Sequence, residues 1–268
     1  MSTGFTPSHR GGAGAPLVCL HGFTDTWRTW ELVLPALEAR HDVLAPTLAG
    51  HAGGPPLPAA VTDETLADGV ERAMDEAGIG DAHLVGNSLG GFVALQVAAR
   101  GRARSVVALA PAGGWAEGDP AFAETIAYFR SMREMLKNAV AHADAIAASP
   151  EGRRLATEYV AVNYEHIPAE LVAHLMRGAA ACDVPPLLAH AERVGWNLEA
   201  ERIGCPVRIV WGDADRILIP PGATARFREE WLPQAEWVEL GAVGHCPQLD
   251  VPLETAELAL GLTDPGGG

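Results

Sequence analysis

The fold is decided by the stretch Leu84-Val85-Gly86-Asn87-Ser88-Leu89-Gly90-Gly91. An apolar run leads into it, and a helix-forming run over residues 92–99 follows it. Glycines two positions before and two after the serine are typical of a sharp strand-to-helix turn, which pushes the hydroxyl of Ser88 out at the sheet edge. The amide of Leu89 then lies at a helix N-terminus, where unpaired N–H groups favour negative charge. A tight turn with a merely hydrogen-bonded serine is the alternative for this motif alone.

Composition excludes several classes of protein. The chain has 268 residues, 48% of them hydrophobic and 20% charged, as expected of a globular protein. Acidic residues outnumber basic ones by 34 to 19, and the net charge of −15 argues against nucleic acid or an anionic membrane as partner. No apolar run approaches the roughly 20 residues of a membrane span. Because no apolar segment precedes the first predicted strand, we expect no secretory signal.

The four cysteines indicate a reducing compartment. Cys19, Cys182, Cys205 and Cys246 are scattered and lack the C-x-x-C spacing of metal or redox sites. We therefore expect reduced thiols, a cytoplasmic location and no metal site.

The expected partner is a small-molecule substrate, and the chain is expected to be a monomer or a homodimer.

Short apolar runs alternate with helical patterns along most of the chain. Besides the run before Ser88, strands are predicted at residues 16–20, 43–45, 105–110, 207–211 and 237–240. Continuous apolar strands are typical of a parallel sheet buried on both faces, so the alternation predicts a three-layer α/β/α sandwich. The spacing also predicts one amphipathic helix over residues 27–37, a loose leader over residues 1–15 and a frayed tail over residues 263–268.

The alternation stops between residues 114 and 197. This segment has helical spacing and no convincing strand, and its prolines divide it into four or five helices. We interpret residues 114–197 as a helical cap inserted over the carboxyl edge of the sheet, and residues 1–113 and 198–268 as the core. An unrelated helical subdomain is the alternative.

Two further motifs follow later strands. Gly212-Asp213-Ala214-Asp215 comes after the strand at 207–211, and Gly244-His245-Cys246-Pro247 comes after the strand at 237–240. Both motifs follow the carboxyl ends of predicted strands, which is where ligand-binding and catalytic sites form in open α/β sheets. A serine hydroxyl needs an adjacent base, which His245 can supply, and a carboxylate can fix the histidine tautomer. Position alone leaves both aspartates as candidates, since turn and capping carboxylates are common in such loops.

Together with His21-Gly22-Phe23 and Trp30, these motifs resemble the α/β-hydrolase superfamily, in its capped serine-hydrolase branch, over nearly the whole chain. The order Ser, Asp, His is the order of that superfamily. The resemblance implies an α/β-hydrolase fold, a catalytic triad of Ser88, His245 and Asp215, and no cofactor. Asp215 is preferred over Asp213 because the family places the acid fourth in Gly-x-x-Asp. The resemblance also implies an oxyanion hole made by the backbone N–H groups of Phe23 and Leu89.

Other residues are candidates for substrate binding, each with a structural alternative. These candidates are His21, Asn87, Tyr128, Met132 and Tyr164. His21 is more often a structural hydrogen bonder, and helix packing is the alternative for the three cap residues. His51 lies in a loop that resembles a family motif, although its second glycine is displaced.

The chain departs from the family at its start. Members usually carry an antiparallel hairpin before the His-Gly strand, whereas only about 16 residues precede it here. We therefore predict about six strands, mostly parallel, with at most a short and irregular remnant at the leading edge.

The predicted function is a serine hydrolase of the carboxylesterase kind, which cleaves a small ester, lactone or thioester through an acyl-enzyme. The same triad could serve a carbon–carbon bond hydrolase, a perhydrolase or a lyase, and a non-catalytic ligand receptor on this fold is a further alternative. The serine at the nucleophile position argues against epoxide hydrolases and haloalkane dehalogenases, which place a carboxylate there.

Overall fold

The computed structural model describes residues 4–263 and contains a seven-stranded sheet. The strand order is β1-β3-β2-β4-β5-β6-β7, with β1 antiparallel to β3 and every other neighbouring pair parallel. The strands are β1 (Ser8–Gly12), β2 (Ala15–Leu20), β3 (His41–Pro46), β4 (Ala82–Asn87), β5 (Ala103–Leu109), β6 (Val207–Gly212) and β7 (Glu236–Leu240). Because β2 to β7 run parallel, their carboxyl ends meet at one edge of the sheet.

Helices connect these strands and cover both faces of the sheet. They are α1 (Leu34–Glu38), α2 (Thr65–Glu76), α3 (Leu89–Ala99), α4 (Pro120–Ala139), α5 (Ala143–Ala148), α6 (Pro150–Thr157), α7 (Ala169–Ala181), α8 (Pro185–Val194), α9 (Pro247–Asp250) and α10 (Pro252–Thr263). One apolar cluster packs α2 and α3 against the sheet, and a second packs α1 and α10 against the other face. The predicted three-layer α/β-hydrolase fold is confirmed.

The leader differs from the prediction. Residues Ser8–Gly12 form a regular edge strand that pairs antiparallel with β3 over five residues. The expectations of a loose leader and of about six strands are therefore wrong. The predicted shortness of this edge does hold, since β1 has only five residues. Arg10 ties the strand down through two bonds to the Asp42 carboxylate, at 3.0 and 2.7 Å. Residues 1–3 of the predicted leader lie outside the described residues.

The segment predicted as one helix over residues 27–37 is divided. It forms a 3₁₀ turn at Trp27–Trp30 and the short helix α1, which begins at Leu34. Pro35 explains the division, because proline has no amide to donate and its ring clashes with the preceding turn of a continuous helix. At the other end, Thr263 belongs to α10 and its hydroxyl bonds to His41 at 2.9 Å. The remainder of the predicted frayed tail, residues 264–268, lies outside the described residues.

Five helices, α4 to α8, form an insertion between β5 and β6. Their apolar side chains make a third cluster, which also contains Cys246 and Leu249 from the segment after β7. The insertion therefore packs directly on the loop at the carboxyl edge of the sheet. In the described part of the chain, no helix is long and apolar enough to cross a membrane.

Strand β4 and helix α3 meet at unusually short range. A Cβ on Gly86 would lie 2.2 Å from the carbonyl oxygen of Gly90, and a Cβ on Gly90 would lie 2.2 Å from that of Leu20. Real Cβ atoms do not approach backbone this closely, so both positions require glycine. The two glycines let α3 start directly above β2 and β4.

We predict that Gly90→Ala lowers the free energy of unfolding by about 1–3 kcal/mol or more, because the new methyl group overlaps backbone that cannot move freely. Gly69→Ala in α2 is the matched control, since nothing lies within 4 Å of its Cβ position. In the control variant the free energy of unfolding should rise by about 0.5–1 kcal/mol, because alanine has a higher helix propensity than glycine. Urea unfolding of both variants measures the difference, and equal effects would contradict the proposed overlap.

Candidate active site

Ser88 occupies the turn between β4 and α3 in a strained backbone conformation. Its φ is 54° and its ψ is −117°, a region that L residues rarely adopt. Its amide donates to Leu109 O at 2.8 Å, and its carbonyl accepts from the amides of Phe92 and Ala112 at 3.1 and 3.0 Å. These three bonds hold the strained residue in place, as expected for strain at a functional position.

His245 and Asp215 form a buried pair at the same edge. Nδ1 of His245 lies 2.7 Å from Oδ2 of Asp215, and the side chains are almost fully enclosed. The other carboxylate oxygen accepts from the amides of Ile217 and Leu218 at 2.8 and 2.9 Å. Since a carboxylate only accepts, Nδ1 carries a hydrogen, which leaves Nε2 of the neutral ring free to accept a proton. Asp213 is exposed instead and accepts from Ala242 N at 2.7 Å.

Ser88 and His245 line one cavity, together with Asn87 and Gly22. In the described residues no hydrogen bond joins the two side chains. Contacts of this kind are often long in unliganded enzymes and tighten when substrate binds. The structure thus brings together the three residues predicted as a triad, with Asp215 as the partner of the histidine.

Three contacts from different parts of the chain hold the backbone around His245. Asn87 Nδ2 donates to His245 O at 2.9 Å, and Val160 O of the insertion accepts from the amide of Cys246 at 2.8 Å. Asp250, which is 2% exposed, accepts from Gly244 N at 2.6 Å.

The carboxylate of Asp250 also binds the insertion. It accepts from the amides of Val162 and Asn163 at 2.8 and 2.7 Å, and from Asn163 Nδ2 at 2.7 Å. Four N–H groups therefore satisfy this buried carboxylate without a cation. The same side chain fixes the loop that carries His245 and the insertion segment packed on it.

The two amides predicted as an oxyanion hole are available. Within residues 4–263, no acceptor engages the N–H of Phe23 or of Leu89 in a hydrogen bond. Both residues line a cavity with Ser88. The loop before Phe23 lies close to the nucleophile position, since a Cβ on Gly22 would be 3.4 Å from Ser88 Cβ. The arrangement presents two donors beside the serine, as stabilisation of an oxyanion requires.

His21 orients this loop and lines neither cavity described below. Its Nδ1 lies 2.8 Å from Gly22 O, and its Nε2 accepts from Leu48 N at 2.9 Å. Burial, with a lesser effect from His51, lowers the pKa of His21 well below its ordinary value, which keeps the ring neutral. His51 packs 4.9 Å from the His21 ring, and burial lowers its pKa to about 4. His21 therefore uses both ring nitrogens in contacts with the backbone, whereas Nδ1 of His51 lies 3.1 Å from Ala49 O.

Two cavities meet at Ser88, Phe23 and Phe129. The first, here the tryptophan cavity, is bounded by α2, α3, α4 and α8, with Trp115, Trp196, Phe92, Leu89, Ile126 and Leu187 in its wall. The second, here the histidine cavity, is bounded by α4, α7 and the loop after β7, with His245, Asn87, Tyr128, Met132, Met176 and Asp25 in its wall. The rings of Phe23 and Phe129 meet edge to face at 4.9 Å between the two.

The remaining candidates divide by position. Tyr128 and Met132 line the histidine cavity, whereas Tyr164 lines neither cavity and packs on the third apolar cluster instead. Asn87 lines the cavity, but its amide group is already bonded to Leu109 O, His245 O and Gln248 Nε2. Its observed role is therefore to hold neighbouring backbone and side chains.

Three polar residues of the site were not predicted from the sequence. Asp25 lines the histidine cavity, while Asp250 and Gln248 are buried and bond to Gly244 N and Asn87 Oδ1, respectively. The position of Asp25 three residues after His21-Gly22 was an available signal. The roles of Asp250 and Gln248 depend on contacts with distant segments, which local sequence does not show. The Cys246 thiol donates to Asn87 Oδ1 at 3.3 Å, and burial raises the pKa of Cys246 well above its usual value.

No group of three or more metal-ligating side chains is found among residues 4–263. The chemistry that the site offers is that of a serine hydroxyl, an imidazole paired with a carboxylate, and two free amides.

Comparison with known proteins decides the family. A model of the alpha/beta hydrolase family matches residues 17–258, which is most of the chain. The chain belongs to the α/β-hydrolase family. Relatives named as hydrolases support hydrolase activity for this member.

Similar members carry different names. Epoxide hydrolase EphH of Mycobacterium tuberculosis is 36% identical over 202 residues, covering 74% of this chain and 93% of the relative. A putative carbamate hydrolase, RutD of Klebsiella pneumoniae, is 28% identical over 239 residues, covering 87% and 85%. The crystal structure of a bacterial membrane phospholipase A has a TM-score of 0.75 at 24% identity and covers 96% of this chain and 82% of its own, which shows the shared fold.

We predict that Asp250→Ala lowers the free energy of unfolding by about 3 kcal/mol, because it leaves several buried N–H donors without an acceptor. Asp213→Ala is the matched control, since that carboxylate is exposed and accepts from one amide, and a loss of about 1 kcal/mol or less is expected. Urea unfolding measures both losses. Equal losses would contradict the assigned role of Asp250.

Proposed function

We propose that this α/β hydrolase cleaves a small ester, lactone or thioester through an acyl-enzyme, with Ser88, His245 and Asp215 as its triad. The observation that carries the proposal is the 2.7 Å pair of His245 and Asp215 in the wall of the cavity that Ser88 also lines. The two free amides beside Ser88 support it further, because acyl transfer needs donors where negative charge develops.

The reaction follows from these positions. Nε2 of His245 takes the hydroxyl proton as Ser88 attacks the carbonyl carbon, and the Phe23 and Leu89 amides bind the resulting oxyanion. Asp215 holds the ring in the required tautomer and stabilises the imidazolium. His245 then returns the proton to the leaving group, which departs and leaves an acyl-serine. Water, activated by the same imidazole, hydrolyses this ester and restores the serine.

The two cavities suggest where the halves of the substrate bind. The leaving group receives its proton from His245, so it belongs in the histidine cavity. The acyl chain then belongs in the tryptophan cavity, whose wall is largely apolar and includes Leu89. Helices α4, α7 and α8 contribute to these walls, which supports residues 114–197 as a cap over a core of residues 1–113 and 198–268.

Carbon–carbon bond hydrolysis, perhydrolysis and lyase chemistry can use the same triad and remain alternatives. A cytoplasmic location is part of the proposal, supported by four free cysteines. A non-catalytic receptor is disfavoured by the combination of a strained Ser88 with a paired His245.

Epoxide hydrolysis is a second candidate because the mycobacterial relative bears that name. Ser88 argues against it on chemical grounds. Attack by a serine on an epoxide carbon forms an ether, which offers no carbonyl for water to attack, whereas a carboxylate nucleophile forms a hydrolysable ester. Incubation with styrene oxide tests the point. Diol that is formed by the wild type and by Ser88→Ala would overturn the proposed nucleophile and direct attention to Asp25, a carboxylate in the cavity wall.

We expect a short-chain p-nitrophenyl ester to give a burst of nitrophenol equal to one acylation per active chain. Ser88→Ala should abolish the burst and lower kcat by about 10⁴-fold or more, because the nucleophile is lost. Stopped-flow absorbance measures the burst. Ser105→Ala is a control of matched chemistry, since Ser105 is a buried serine that lines neither cavity. Absence of a burst with a range of acyl chains would contradict the acyl-enzyme.

We expect kcat to fall by a similar factor in Ser88→Ala, in His245→Ala and in the double variant, because the two residues act as one unit. Asp215→Asn should also lose activity, through the wrong tautomer of His245. Steady-state kinetics on one ester provide the comparison. Losses that multiply in the double variant would show that the two side chains act independently.

A further inference from the structure

The mechanism leaves the Asp25 carboxyl of the histidine cavity unused. Asp25 lies three residues after Gly22 and lines the cavity together with Ser88 and His245. The carboxyl is surrounded by protein, and the residue as a whole is half-buried in the cavity wall. A carboxylate is thus placed within the space where the leaving group is proposed to bind.

The carboxyl is held in one orientation by hydrogen bonds. Its Oδ1 accepts from Thr26 N at 2.8 Å, and the Thr29 hydroxyl is a second donor. Thr29 in turn accepts from Gln248 Nε2 at 3.1 Å, and Gln248 also donates to Asn87 Oδ1 at 3.1 Å. Because a carboxylate offers about four acceptor positions, these two donors leave acceptor capacity for a ligand.

No cation balances this carboxylate. Among the residues that the structure describes, no basic side chain acts on it. The Cys246 thiol of the loop after β7 lines the same cavity and is close enough for Asp25 to raise its pKa. From α7, His174 Nε2 lies 3.1 Å from the Thr26 hydroxyl, and burial lowers the pKa of His174 to about 4. The closest arginine in sequence, Arg28, is already paired with Glu31 and Glu170.

The other charged groups around the cavity do not help to neutralise Asp25. Asp215 is paired with His245, and Asp250 is bound by amides. From α4 the facing titratable group is Tyr128, which is neutral because burial raises its pKa. The rest of the wall is mainly apolar, with Met132, Leu136, Val160, Ile167, Val172, Leu175, Met176, Ala179 and Leu249. Desolvation in these surroundings raises the pKa of Asp25 to about 7.

We propose that the substrate carries a cationic group in its leaving portion and that the Asp25 carboxylate binds this group in the histidine cavity. The proposal rests on the proposed function for the site of cleavage. An unpaired carboxylate in an apolar cavity gains much from an incoming cation, since the attraction is strong at low dielectric. The net charge of −15 favours entry of cations further. The substrate class is therefore that of esters or thioesters of an amino or quaternary ammonium alcohol or thiol.

The test compares two esters that differ in one charge. Butyrylcholine and 3,3-dimethylbutyl butyrate share the acyl chain and the shape of the leaving group, and only the first is cationic. We expect kcat/KM to favour butyrylcholine by about tenfold or more at pH about 8.5. Below pH about 7 the carboxyl of Asp25 is protonated, so the preference should fall towards one at pH about 5.5. The ratio of the two esters cancels any effect of pH that acts on both equally.

Asp25→Asn should lose the preference for butyrylcholine at every pH, because the amide keeps an acceptor for Thr26 N but carries no charge. Glu257→Gln is the matched control, since it removes one negative charge from an exposed position on α10 and should keep the preference. Hydrolysis of both esters with a ratio near one, or an unchanged ratio in Asp25→Asn, would overturn the inference.

A binding measurement separates this inference from the proposed function and does not require turnover. Phenyltrimethylammonium should raise the unfolding temperature of the wild type more at pH about 8.5 than at about 5.5, and Asp25→Asn should abolish this difference. Stabilisation without hydrolysis of either ester would refute the hydrolase proposal and support the cation site. Absence of stabilisation in a wild type that hydrolyses both esters equally would refute the cation site alone.

Discussion

The close approach of backbone at Gly86 and Gly90 is the constraint on which the site depends. Because neither residue has a Cβ, α3 can begin directly above two strands, and Ser88 is forced to a φ of 54° at the point of contact. The hydrogen bonds of Ser88 with β5 and the loop after it compensate for this strain. The same geometry leaves the Leu89 amide without a helical partner, beside the serine that would generate the oxyanion.

The histidine depends on a different kind of support. His245 lies in a loop, and loops do not hold a side chain in place unless other segments fix them. Here one carboxylate, Asp250, binds both the amide before His245 and two amides of the helical insertion. The insertion therefore does more than cover the sheet edge. Changes in the insertion around Val160 and Val162 are expected to reach the reacting groups through this connection.

Polarity is distributed unevenly around Ser88. Both cavities have largely apolar walls and each includes one carboxyl group. Asp63 in the tryptophan cavity is paired with His190 at 2.6 Å, whereas Asp25 in the histidine cavity has no basic partner among the described residues. Under the proposed function, the acyl chain and a cationic leaving group would therefore bind in different cavities. Family membership does not supply this information, since relatives are named for epoxides and for carbamates.

The fold and the positions of Ser88 and His245 could be predicted from the sequence, because each residue lies in a turn that follows a strand. The choice of Asp215 over Asp213 came from the family resemblance, since position alone left both as candidates. The sequence did not determine that residues 8–12 pair with β3, since edge pairing joins distant segments of ordinary composition. Only the tertiary structure excluded Tyr164 from the cavities and brought Asp25 and Asp250 into the site. Their roles arise from contacts between segments as far apart as residues 162 and 250, and such contacts leave no local periodicity to read.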